Sequence, residues 1–132
     1  MERAIQIFAT IHFIIIGLSH LLHPDIWVEF FIWLRERGRA GAFVHGFISL
    51  GFGSMIVAFH SVWHGPATVL TVLGWFYLVK AFMCFAVPSS QMRTLGRVSL
   101  ERTGELRVVG AVYLAVAGLL CYILFSGNGP VD

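Results

Sequence analysis

Four segments of this chain, Ala4–Leu22, Ala40–Trp63, Ala67–Val87 and Arg107–Ser126, are almost continuously apolar. Each is close to the ~20 residues an α-helix needs to cross the hydrocarbon of a bilayer. The runs lack the alternation of a lipid-facing strand, so helices are expected and not a barrel. Composition says where the apolar surface goes. Of the 132 residues, 58% are hydrophobic and 12% charged, whereas a soluble domain is nearer half apolar and a quarter charged. So short a chain has too small an aqueous core to hide the excess. The expected fold is all-α: a polytopic membrane protein with four transmembrane helices in a bundle, forming a single domain over residues 1–132.

The punctuation agrees. Pro24 and Pro88 close the first and third spans, because the residue before a proline is pushed out of helical geometry. His64-Gly65-Pro66 makes a short uncharged turn that should fold the second and third spans into an antiparallel hairpin. The first apolar stretch is longer than the ~7–15 residues of a secretory h-region and no Ala-x-Ala site follows it, so it reads as a retained first helix. Cys84 and Cys121 are expected near opposite ends of their spans, too far apart to form a disulfide.

The basic residues lie on one side. Arg35, Arg37 and Arg39 fall between the first two spans, and Arg93, Arg97, Arg102 and Arg107 between the last two; only Arg3 lies on the opposite side. The positive-inside rule then predicts two cytoplasmic connections with both termini outside, in a membrane such as the bacterial inner membrane. A net charge of +2 distributed in this way is a topology signal. It is not the basic stripe of a nucleic-acid binder.

The first connection, Asp25 to Arg37, is too short to span and too apolar for water. Asp25, Glu29 and Glu36 share one helical face, with Trp27, Phe30, Phe31, Trp33 and Leu34 over the rest. That pattern predicts a cytoplasmic interfacial amphipathic helix anchored by Trp27 and Trp33; the alternative is a segment packed on the spans. The halves also share a plan. A shift of 64 positions lays Pro24 on Pro88, Gly46 on Gly110 and Leu50 on Leu114, which suggests a tandem two-span repeat of parallel orientation. Small residues at helical spacing mark candidate packing faces: Gly46, Ser49 and Gly53 on the second span, Ala111, Ala115 and Gly118 on the fourth.

Ionisable residues within spans are costly and often functional. Lys80 lies about two turns from the cytoplasmic end of the third span with no carboxylate in any span to pair with it. It can snorkel to the headgroups, or face inward with His20 and His45 as a basic, cytoplasm-facing site for an anionic headgroup, a quinone oxygen or a small acid. His20 and His45 are also the pair nearest to one depth, as a bis-histidine haem would require. His60 and His64 have the i, i+4 spacing that lets two imidazoles share a divalent metal, with Glu2, Asp132 or the C-terminal carboxylate as further ligands. Otherwise both sit in interfacial water, and His12, near mid-membrane, is a neutral ring hydrogen-bonded to a neighbouring helix. No catalytic motif is recognisable, and no cofactor is expected.

The stretch Gly17-Leu18-Ser19-His20-Leu21-Leu22-His23-Pro24-Asp25-Ile26-Trp27 resembles small bacterial inner-membrane proteins of the YjeT type, as do Leu106-Arg107-Val108-Val109-Gly110 and Leu119-Leu120-Cys121-Tyr122. The four-span plan is similar to that of DoxX-like proteins. The resemblance implies an inner-membrane location and transfers no catalytic residue. The expected role is a non-catalytic accessory or assembly subunit whose partners are lipid and other membrane subunits or copies of itself. The alternatives are a small oligomeric transporter or channel using Lys80 and His45, and a haem- or metal-binding redox protein.

Overall fold

The computed structural model describes residues 1–126, and every element among them is helical. In chain order these are α1 (Glu2–Leu22), α2 (Pro24–Glu36), α3 (Arg39–Phe59), α4 (Thr68–Ala86), α5 (Pro88–Leu95) and α6 (Thr103–Phe125), with a 3-10 turn at Leu100–Arg102. Helices α1, α3, α4 and α6 are each long and apolar enough to cross a membrane. Their exposed faces carry large apolar side chains such as Ile15, Phe47, Phe76 and Val108.

The two prolines break the chain in the same way. His23 (φ −132°, ψ 58°) and Val87 (φ −133°, ψ 67°) leave helical geometry, as a residue before proline must. Pro24 and Pro88 then open α2 and α5, where a missing N–H costs nothing. Between α2 and α3 the chain turns at Gly38, whose φ of +58° suits glycine. The turn is so tight that a Cβ on Gly41 would overlap the Leu34 carbonyl.

The second span ends at Phe59 and not at Trp63. His60 is extended (φ −142°, ψ 107°), because side chains fasten residues 60–67 onto the start of α4. His60 Nε2 donates to the Ala67 carbonyl (3.1 Å). Thr71 Oγ1 donates to the Val62 carbonyl (2.8 Å) and accepts from the Val62 N–H (3.0 Å). Thr71→Val therefore leaves both polar groups of Val62 buried without these partners. We expect it to destabilise the protein by about 1–3 kcal/mol in detergent unfolding, with Thr71→Ser close to wild type.

Helix α1 packs against α6, and α3 against α4. Both pairs are antiparallel and meet at glycines. A Cβ on Gly53 would lie 2.9 Å from Leu78 N and 3.0 Å from Gly74 O; one on Gly110 would lie 2.8 Å from Gly17 O. Ser49 is buried on the same side of α3. On α6, by contrast, Ala111, Ala115 and Gly118 are exposed. The face turned to α1 carries Gly110 and Ala117 instead, because packing follows the side on which α1 lies and not the smallest residues available.

The two halves follow one another closely. Leu22 and Ala86 end their spans, Pro24 and Pro88 begin the next helices, and Arg39 and Thr103 begin the returning spans, each pair 64 positions apart. The contacts correspond too, with the halves exchanged. Gly46 meets Cys84 and Phe85, while Gly110 meets His20 and Leu21, and the same shift of 64 relates all three pairs.

The apolar core occupies the end of the molecule away from all the arginines but Arg3. It draws Ile5, Ala9 and Phe13 from α1, Phe52 and Ile56 from α3, Leu70 from α4 and Leu120 and Ile123 from α6. At the other end α2 packs against α1, α3, α5 and α6, burying Val28 and Leu34 and leaving Asp25, Glu29 and Glu36 exposed. Arg35 donates to the Val98 carbonyl (3.3 Å), tying the two long connections together.

Candidate functional site: an aromatic cavity toward the arginine-bearing end

A cavity of about 430 Å³ lies above this core, within the usual range for small-molecule sites. Its floor is aromatic: Phe52 meets Phe13 edge-on at 5.5 Å and Tyr77 at 5.1 Å. Helix α2 contributes Ile26, Trp27, Phe30 and Phe31 to its lining. The polar side chains come from four helices: His12 and His20 on α1, His45 and Ser49 on α3, Tyr77 and Lys80 on α4, and Tyr113 on α6. His20, His45 and Lys80 therefore line one cavity. No carboxylate lines it with them.

Hydrogen-bond partners set what each group offers. His20 Nδ1 lies 2.8 Å from the Ile16 carbonyl, which can only accept. Nδ1 therefore carries the proton, and Nε2 keeps a lone pair with no partner among the described residues. Trp27 holds the ring in place by stacking on it at 4.0 Å and 19°. The indole N–H donates to Ser19 Oγ (2.9 Å), which donates in turn to Ile16 O (2.8 Å). His45 is arranged the opposite way. Its Nδ1 accepts from Gln91 Nε2 (2.6 Å), so Nε2 bears the hydrogen of the neutral ring.

The Tyr77 and Tyr113 hydroxyls lie 2.9 Å apart. One donates to the other, which leaves one hydroxyl hydrogen for a ligand. Lys80 Nζ sits 5.9 Å from the Tyr77 ring centroid and has no hydrogen-bond or ion-pair partner among the described residues. The cavity thus presents the Lys80 amine, the His45 N–H and one tyrosine hydroxyl as donors and the His20 lone pair as an acceptor, with the His12 ring and the Ser49 hydroxyl beside them.

Several expectations change. Trp27 turns inward to α1 and the cavity, where Ser19 and His20 offer its indole an acceptor and a stacking surface. Trp33 is exposed, with the Arg37 guanidinium 4.4 Å from its ring centroid. Among the described residues His12 has no hydrogen-bond partner on a neighbouring helix; it stacks on Phe52 at 4.2 Å. His60 is buried, not in water. Because the helix stops at Phe59, His60 and His64 do not share a helical face. No group of three or more His, Cys, Asp or Glu residues that could hold a metal forms among the described residues, and Asp132 lies outside them. Cys84 and Cys121 are free thiols.

Tyr77, Tyr113 and Gln91 were not singled out from the sequence, and Trp27 was read there only as an interfacial anchor. Tyr77 lies three residues before Lys80 and so on the same face, a signal that was there to read. Gln91 reaches His45 on α3 from α5 in the second long connection, which spacing cannot reveal. Comparison with protein-family models, curated proteins and solved structures finds no match to this chain. Its site is read from its own chemistry.

Proposed function

We propose that this chain is a membrane-embedded binding protein for an amphiphile with an apolar body and a singly charged acidic head, held in the cytoplasmic half of the bilayer. One observation carries the reading: Lys80 lines an aromatic cavity that contains no carboxylate. A cation in such surroundings is costly unless paired, and an acidic head supplies the missing charge. His45 Nε2–H and the free tyrosine hydroxyl add donors to the same oxygens. The aromatic walls take the apolar body. In this reading α2 lies in the headgroup layer as a lid, both long connections are cytoplasmic, and the two halves are a tandem duplication in which only one side kept polar side chains.

Equilibrium binding to the purified protein tests it. Oleate should bind saturably at one per chain, and methyl oleate, which lacks the charge, about tenfold or more weakly. Equal binding of acid and ester would refute the proposal. A second role, docking on another membrane subunit or another copy, has one observation behind it. Ala111, Ala115 and Gly118 form an outward stripe on α6 that none of the described helices covers, and small residues suit close helix approach. Cysteine crosslinking along that stripe in native membranes tests this role.

A further inference from the structure

A second cavity lies at the arginine-bearing end, away from the first. It is a groove lined by Gly38, Arg39, Pro88, Ser89, Met92 and Arg93, where the start of α3 meets the start of α5. We propose that this groove holds the phosphodiester headgroup of an anionic phospholipid.

The charge is uncompensated. Arg39 and Arg93 are both exposed, neither has an ion-pair or hydrogen-bond partner among the described residues, and no acid lines the groove. Two helix starts add to it. Neither Gly38 nor Val87 gives a side-chain cap to α3 or α5. The first-turn N–H groups of α3 are left for an external acceptor. At α5, where Pro88 has no N–H and the Ser90 N–H donates to the Val87 carbonyl (3.0 Å), that of Ser89 is left. The Ser89 hydroxyl offers a further donor. Planar guanidinium groups suit phosphate oxygens.

The apolar surroundings select a lipid over free phosphate. Phe43 and Phe47 follow Arg39 by one and two helical turns on the same face and are 43% and 63% exposed. Phe85 packs on both, at 5.2 Å and 5.0 Å, and Met83 and Val87 are exposed nearby on the α4 side. A headgroup between the arginines therefore has an aromatic strip below it on which acyl chains can lie. The other half has no equivalent. At the 64-position shift Ser89 and Arg93 become Asp25 and Glu29, which would repel a phosphate. The site is one per chain.

Native mass spectrometry of the full-length protein tests this, with phosphatidylglycerol, phosphatidylcholine of the same acyl chains and inorganic phosphate titrated in turn. Phosphatidylglycerol should be retained preferentially as a single adduct. Arg39→Gln and Arg93→Gln should each weaken it about fivefold, while Arg97→Gln, which removes the same charge outside the groove, should leave it unchanged. Equal retention of phosphatidylcholine would overturn the proposal, because the arginines would then select nothing. An Arg97→Gln loss as large as that of Arg39→Gln would do so by reducing the effect to diffuse charge. Inorganic phosphate binding as well as the lipid would remove the role of the aromatic strip.

Discussion

Alanine at Gly53 or Gly110 will destabilise the protein by about 1–3 kcal/mol, whereas alanine at Gly51 or Gly118 will be tolerated. The two pairs differ in what the new methyl group meets. At Gly53 it would lie 2.9 Å from both Leu78 N and Tyr77 Cβ and 3.0 Å from Gly74 O; at Gly110, 2.8 Å from both Gly17 O and His20 Cβ. Most of these are backbone atoms, so the packed helix must move as a body. Nothing lies within 4 Å at Gly51 or Gly118, and there alanine gains helix propensity. Thermal challenge in detergent followed by size-exclusion chromatography reads the difference directly. Gly110→Ala should also weaken ligand binding, because its methyl presses on the Cβ that carries the His20 ring. If all four variants behave alike, the α1–α6 and α3–α4 interfaces are not as described.

Lys80→Met will weaken binding of an acidic amphiphile by about tenfold to a hundredfold, the range expected for losing a hydrogen bond to a charged group. Methionine keeps an unbranched apolar stem at this position, so the change removes the charge with little disturbance to packing. Lys80→Arg keeps the charge and should retain part of the affinity. His45→Ala removes only a neutral donor and should cost about two- to tenfold. Isothermal titration with oleate separates these grades. A flat series, with Lys80→Met equal to wild type, would mean that the ammonium takes no part in binding.

Much of the fold was legible because membrane spans announce themselves through length and apolar composition, and Pro24 and Pro88 mark their ends through local sterics. The end of α3 was not, because it depends on Thr71 and Ala67 capturing the chain after Phe59. The small residues of the second span read simply, since α4 lies on the side of α3 that holds Gly46 and Gly53. Those of the fourth did not, since nothing in Ala111, Ala115 and Gly118 says on which side α1 will lie. Within the site, His20, His45 and Lys80 could be grouped by depth along their helices. The stacking and hydrogen-bond partners that reach them from other elements could not, because Trp27, Gln91 and Tyr113 act across element boundaries.

The central claim is that an acidic amphiphile sits beside Lys80 in the α2-covered cavity. Trp27 lines that cavity and can report on it once Trp33, Trp63 and Trp75 are replaced by phenylalanine. Titrating this single-tryptophan protein with brominated stearate should quench Trp27 saturably, with unbrominated stearate restoring the emission. The same protein carrying Lys80→Met should show only weak, unsaturable quenching. Saturable quenching of equal strength with and without Lys80, or by the brominated methyl ester, would contradict the account.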